Sequence, residues 1–210
     1  MIEKLSFGEP FLETRYIEQE EHYPVSGRCL LLNLDTEQLI VMEGIFELPP
    51  LQVCEACNAD ISVPGKALLI ANFGTLDLND LQTLDALRAV WKSNYQLTHD
   101  EKQRGVPYYK SPKITLGKVN MNFCLVAEPD RPSGIHREHD RPIREIHVQV
   151  AGEGAVDLLR SAEPGDVFAS LPLTAGAVHC ATWNGKGEYP WHRYRSKSRC
   201  IFLGVSIENA

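Results

Sequence analysis

Gly134-Ile-His-Arg-Glu-His-Asp-Arg-Pro-Ile-Arg-Glu-Ile-His-Val-Gln-Val-Ala-Gly152 is the stretch around which the chain is organised. It carries His136, His139, Glu145 and His147, all groups able to bind a first-row transition metal. Its second half alternates strictly. Ile146, Val148 and Val150 fall on one side, and Glu145, His147 and Gln149 on the other, which is the period of a β-strand. Two architectures fit that alternation. In an ordinary sandwich the apolar lane is core and the polar lane faces water. In a barrel the polar lane, with Asn120 and Asn122 from a preceding strand, lines a wet lumen, and N-terminal strands and a helix cover the apolar lane. Five of the seven histidines lie between positions 136 and 192, a clustering that favours the lumen.

Outward from this stretch the chain reads as strand after strand. Val119, Met121, Phe123 and Leu125 alternate with Asn120, Asn122 and Cys124. Further runs are Ala155–Leu159, Val167–Leu171, Val178–Thr182 and Cys200–Ile207. Gly152-Glu-Gly154, Pro164-Gly-Asp166 and Asn184-Gly-Lys-Gly187 supply turn residues between them. Upstream, Leu78, Leu81, Leu84, Leu87, Val90 and Trp91 recur at spacings of three and four, which predicts an amphipathic helix over about 80–94. Asn79 with Gln82 suggests a capping box at its start. Thr98 with Glu101 suggests a short second helix ending at Gly105. Residues 29–34, 39–48 and 67–73 read as short strands, with Pro64-Gly65 as a turn. Residues 1–27, polar and holding Glu18-Gln-Glu-Glu21, read as an irregular arm. The expected organisation is an N-terminal β extension with a helical connector over 1–105 and a barrel over 106–210.

Composition narrows the function classes. The formal net charge is -7. Residues 106–210 hold 13 Lys+Arg against 11 Asp+Glu, about +2, which leaves 8 against 17, about -9, for the rest. An acidic chain without a dense basic tract argues against nucleic acid as partner. No apolar run reaches a membrane span, and the first residues lack a basic segment followed by an apolar one. With six cysteines and no visible export signal, reduced thiols in the cytoplasm are expected. Cys54-Glu-Ala-Cys57 has half a zinc-knuckle spacing without a second pair, so incidental thiols are the simpler reading. Cys180 reads as a small buried residue.

The order Gly134, a histidine pair, Glu145, six residues, Gly152, then Gly165-Asp166, Pro172, Gly176 and His179 resembles the two sequence motifs of the cupin superfamily. The resemblance covers about 134–179. It implies a double-stranded β-helix barrel in which two histidines and a glutamate from the first motif, with a histidine from the second, hold one divalent metal. Carried onto this chain, the ligands are His136, His139, Glu145 and His179, and the metal is Fe, Mn, Ni or Zn. His136 and His139 are separated by two residues rather than the family's one, so they share a strand face only across a bulge. His147 is placed to move a proton or to replace a ligand. Gln149 and Asn122 would face a substrate. Arg193 and Arg195, within Tyr189-Pro-Trp-His-Arg-Tyr-Arg195, would orient an anionic group. The implied function is a metal-dependent enzyme acting on a small polar or anionic metabolite by oxygenase, isomerase or lyase chemistry. Two rivals are a metal-free sugar or acid sensor and a structural barrel with no active cavity. The resemblance also implies a possible homodimer.

Overall fold

The computed structural model describes residues 1–93, 108–130, 132–137, 143–180 and 190–208. The chain divides into two compact units. One comprises Met1–Leu76 with Gly176–Val178, the other Asp77–Ala175 with His179–Ala210.

The N-terminal unit is a single antiparallel sheet built from β1 (Ile2–Leu5), β2 (Glu13–Pro24), β3 (Arg28–Asn33), β4 (Ile40–Met42), β5 (Phe46–Leu48), β6 (Val53–Cys57) and β7 (Asp60–Ala71). Its order is β1-β2-β7-β3-β6, with β4 attached to β7 and β5 to β4. Residues 1–27 are therefore not an irregular arm: they supply β1 and the twelve-residue β2. The Glu18–Glu21 run belongs to that strand, because Gln19 takes a left-handed φ of 54° and absorbs a bulge between Glu18 and Glu20. Pro64-Gly65 is not a turn either. Glu18 pairs with Lys66 and Glu20 with Val63, so Pro64 and Gly65 together oppose Gln19. A bulge tolerates a residue that has no N–H to give the ladder. The 39–48 run breaks into the β4–β5 hairpin at Glu43 and Gly44, both with positive φ. Ile17, Tyr23, Val25, Leu31, Ile61 and Val63 are among the side chains of the unit's core. Cys54 and Cys57 stand three apart on β6, hence on opposite faces. Cys54 faces the Met42 sulfur at 3.9 Å and Cys57 is exposed, so this spacing forms neither a redox pair nor half a zinc site.

The C-terminal unit begins with α1 (Leu81–Val90), shorter than the predicted 80–94. The cap is Asp80 rather than Asn79: its carboxylate accepts from the backbone N–H groups of Gln82 and Thr83. The helix buries Leu84 and Leu87 and stops where Trp91 turns extended, with its N–H donating to the Leu87 carbonyl at 2.8 Å. Asp80→Ala is expected to destabilise the helix start, read as a lower urea midpoint with an unchanged slope. The predicted second helix lies outside the described residues.

After α1 come β8 (Lys92–Ser93), β9 (Tyr108–Lys110), β10 (Ile114–Leu116), β11 (Val119–Val126), β12 (Ile143–Ala151), β13 (Gly154–Leu159), β14 (Val167–Leu173), β15 (Val178–Cys180), β16 (Trp191–Ser196) and β17 (Cys200–Glu208). One sheet runs β15-β12-β17-β11-β9-β8 and a second runs β14-β13-β16. The 132–137 segment joins the second sheet through bridges from Pro132 to Arg195 and from His136 to His192. Eight chain segments thus form two four-membered layers, ordered β11-β17-β12-β15 and 132–137-β16-β13-β14. Successive segments switch layers except at the β13–β14 hairpin. This is the double Greek-key order of a jelly roll, or double-stranded β-helix.

The register decides between the two readings of the alternating lanes. Across β12, β17 and β11 the rungs are Glu145–Ser206–Asn120, His147–Gly204–Asn122 and Gln149–Phe202–Cys124. Tyr194 of the opposite layer reaches this lane, its hydroxyl donating to Gln149 Oε1 at 3.1 Å. The polar lane therefore faces inward between the layers. The other lane, with Met121, Phe123, Ile146, Val148, Leu203 and Val205, is also buried. Trp91 stacks on Phe123 there, centroids 5.9 Å apart and planes 6° from parallel.

Two glycines permit the turn from β12 into β13. Gly152 has φ +70°, and a Cβ there would lie 2.1 Å from the Arg199 carbonyl oxygen. A Cβ on Gly154 would lie 2.3 Å from the Tyr194 hydroxyl, so the phenol occupies the space a side chain would need.

Candidate functional site

The lumen of the C-terminal unit gathers its polar groups by strand alternation. Glu145, His147 and Gln149 come from β12, and Asn120 and Asn122 from β11. His192 and Tyr194 come from β16 and His136 from the 132–137 segment. Gly204 lies in the rung between His147 and Asn122. A Cβ at Gly204 would meet nothing closer than 3.9 Å, so the glycine leaves open space in the middle of this wall.

One cluster joins Glu145, His147 and His179. The Glu145 carboxylate and the His147 ring stand 3.7 Å apart, both partly buried. His179 is 7% exposed. Burial, with the neighbouring His147, pulls its pKa down to about 4, against a smaller opposing pull from Glu145. The ring is therefore neutral at pH 7 and presents a lone pair.

A second cluster lies in the other layer. His136 and His192 are paired in register, their ring centroids 4.1 Å apart. His136 Nδ1 is 3.0 Å from the Gly134 carbonyl oxygen and His192 Nδ1 is 3.1 Å from that of Pro190. In a neutral ring, Nδ1–H donating to a carbonyl leaves the lone pair on Nε2.

Gln149 closes the lumen. It is fully buried, accepts from Tyr194 Oη and donates through Nε2 to the Ala151 carbonyl at 3.0 Å. Tyr194 Oη also lies 3.1 Å from Cys200 Sγ, and the Tyr194, Tyr108 and His147 rings surround Phe202. Burial raises the pKa of Tyr108, Tyr194 and Cys200, and lifts the Cys124 thiol to about 11. These hydroxyls and thiols stay protonated at neutral pH. Asn122 donates to Cys124 Sγ at 3.3 Å.

The structure does not bring Arg193 and Arg195 into the lumen. Tyr194 and His192 face inward, so the alternating arginines lie on the opposite face of β16. There both hold Asp157 of β13. Arg193 Nε is 3.0 Å and Arg195 Nε 3.3 Å from Asp157 Oδ2, and Ser170 Oγ of β14 donates to Oδ1 at 2.8 Å. Burial alone would push the Asp157 pKa up, but the bonds from Arg195, Ser170 and Arg193 outweigh it and hold the carboxyl below its ordinary value.

His139 lies outside the described residues. Among the described residues, no group of three or more His, Cys, Asp and Glu side chains is placed to hold a metal ion. Of the sequence-predicted ligands, Glu145 and His179 share a neighbourhood with His147, and His136 pairs with His192. His192 and Tyr194 escaped the sequence reading. Their signal was present in Trp191-His-Arg-Tyr-Arg-Ser196, whose alternation puts the aromatic and imidazole rings on the face opposite the arginines.

No family model matches the sequence, and no curated protein matches it. Solved structures do resemble it in part. A cupin-2 domain-containing protein from Shewanella frigidimarina is 13% identical, with 45% of this chain and 76% of that one covered and a TM-score of 0.34. A cupin 2 conserved barrel domain protein from Leptotrichia buccalis is 10% identical over 100% of this chain and 88% of that one, TM-score 0.37. A sugar phosphate isomerase of the cupin superfamily from Silicibacter pomeroyi is 14% identical over 51% and 62%, TM-score 0.35. Among the described residues no helix is long and apolar enough to cross a membrane. The strand order and the inward polar lane make the C-terminal unit a double-stranded β-helix with a polar lumen.

Proposed function

We propose that the C-terminal barrel is a cupin-type enzyme that holds a small polar metabolite in its lumen and moves protons on it, as an isomerase or lyase does. The observation that carries this reading is the cluster of Glu145, His147 and neutral His179 beside the gap at Gly204. A carboxylate that can accept a proton and an imidazole that can relay one, placed against a neutral ring able to polarise a carbonyl, are the parts of acid–base catalysis. Asn122 and Gln149 would orient the ligand's hydroxyl or carbonyl groups. With Arg193 and Arg195 engaged by Asp157, the lumen has no arginine from β16 to favour an anion, and a neutral or weakly charged ligand fits it better.

The test uses a panel of small neutral aldoses, ketoses and hydroxy ketones, with hydroxy acids and sugar phosphates as anionic members, in deuterated buffer, followed by NMR. One or more members should bind and exchange an acidic C–H for deuterium. Gly204→Val fills the lumen with a residue suited to a strand and should abolish binding while the protein stays folded. Glu145→Gln and His147→Gln should keep binding and lose exchange by about a hundredfold or more. Binding that survives Gly204→Val would place the ligand elsewhere. Binding without exchange in the unsubstituted protein would favour a sensor.

A second reading is a metal-dependent enzyme, oxygenases included, with His136, His139, Glu145 and His179 around Fe, Mn, Ni or Zn. It is favoured by the His136 Nδ1 contact to the Gly134 carbonyl, which fixes the ring as metal-ligating histidines usually are. Among the described residues no group of three or more is placed to hold the ion, and no catalytic step is assigned to a metal. Elemental analysis of untagged protein separates the readings. About one equivalent of metal, lost in Glu145→Gln and His179→Gln, supports the second.

A further inference from the structure

The N-terminal unit has a cavity of its own, about 320 Å³ in volume. That is at the lower end of the range for small-molecule sites, roughly 300–1,000 Å³. Its floor is one face of the sheet. Glu13, Ala71 and Cys29 form one rung across β2, β7 and β3, and Arg15 and Leu69 belong to the next. Tyr23 and Ser26 stand at its side.

The polar groups form a set with balanced charge. Glu13 Oε1 accepts from both Nε and Nη2 of Arg15, at 3.0 and 2.7 Å. Arg15 Nη1 reaches Tyr23 Oη at 3.4 Å. The Arg15 charge is thus already matched, and the bond to Glu13, then that to Tyr23, raises its pKa further. Among the described residues the second Glu13 oxygen, the Tyr23 proton and the Ser26 hydroxyl have no protein partner. The rim offers acceptors and donors side by side, above a floor of Leu69, Ala71 and Cys29.

We infer that this cavity is a second ligand site, for a small neutral molecule with neighbouring hydroxyl groups, such as a free monosaccharide. Each hydroxyl both donates and accepts, so a pair of them satisfies the Glu13 oxygen and the Arg15 or Tyr23 donors together. An anion would have to displace Glu13 from Arg15, and a cation would have to displace Arg15 from Glu13. A wholly apolar ligand would bury the rim groups unpaired, which is unfavourable. The C–H face of a sugar ring suits the floor. Binding there is non-covalent: burial pushes the Cys29 thiol up to about 12, which keeps it protonated and unreactive. The inference is independent of the chemistry proposed for the barrel.

Calorimetric titration of the full chain with D-glucose, D-ribose and myo-inositol, and with L-lactate as an anionic control, tests it. At least one polyol should bind one-to-one and lactate should not. Ala71→Leu, which fills the cavity, should weaken binding about tenfold or more. Glu13→Gln should weaken it less, and Gly204→Val should leave it unchanged because that variant fills the other unit's lumen. Glu13→Gln with Ser26→Ala, both near the surface, replaces Ala71→Leu if circular dichroism shows that variant to be misfolded. No heat from any polyol at concentrations on the order of 10 mM would overturn the inference. So would a preference for lactate, or polyol binding that a folded Ala71→Leu or the Glu13/Ser26 double variant leaves unchanged.

Discussion

Asp157→Ala is expected to destabilise the protein by about 3 kcal/mol, which lowers Tm by roughly 6–12 °C for a chain of this size. Asp157 is 2% exposed and sits on the central strand of the β14-β13-β16 sheet, opposite Ser170 on one side and Arg193 on the other. Its two oxygens accept from Ser170, Arg193 and Arg195. Removing the carboxylate leaves two positive charges side by side, with no counter-charge between them. The Arg193 side chain is 15% exposed and Arg195 35% exposed. Arg195 can swing to water, whereas Arg193 keeps most of the penalty of an unpaired, poorly solvated charge. Arg195→Ala should therefore cost much less, about 1 kcal/mol, because Arg193 and Ser170 still satisfy Asp157. Urea unfolding of the two variants checks the order. Equal losses would show that the carboxylate does not act as the hub of the sheet.

The second large effect is a dependence on pH set by His179. Its folded pKa, about 4, is below the ordinary value of 6.5. Between those values the unfolded chain takes up a proton on this ring and the folded chain does not. Stability is therefore complete above about pH 6.5 and is lost as pH falls towards 4, by roughly 3 kcal/mol in total. The groups facing the ring are His147, which adds to the shift, and Glu145, which opposes it. Unfolding in urea at several pH values, with chelator present so that protons alone are linked, gives the slope. His179→Gln should flatten the acid limb relative to the unsubstituted protein. Parallel curves for the two proteins would rule out His179 as the source.

The barrel strands were legible because their lanes are chemically pure. Ile146, Val148 and Val150 against Glu145, His147 and Gln149 leave little choice of period, and the shared face of Glu145 and His147 followed from it. The direction in which that lane points was not legible from the alternation, and only the clustering of histidines favoured the lumen. It is set by the pairing of β12 with β17 and by Tyr194 meeting Gln149 from forty-five residues away. The arginines failed for a similar reason. Nothing local says that Arg193 will be claimed by Asp157, thirty-six residues earlier. In the N-terminal unit, Glu18–Glu21 and Pro64-Gly65 look like breaks, yet each is half of one bulge, and only the partner strand reveals that. Composition records where a ladder is disturbed, not whether it resumes.

Gly154 extends this dependence to the shape of the site. The Tyr194 phenol stands where a Cβ on Gly154 would be. Any substitution there must push the ring away from Gln149 and Cys200, so the depth of the chamber is governed by a residue that has no side chain of its own. Variation at the rim of such a barrel can retune what fits inside without altering a single polar group of the Glu145 lane. Gly154 is a site at which selection could change what the lumen admits while leaving Glu145, His147 and His179 in place.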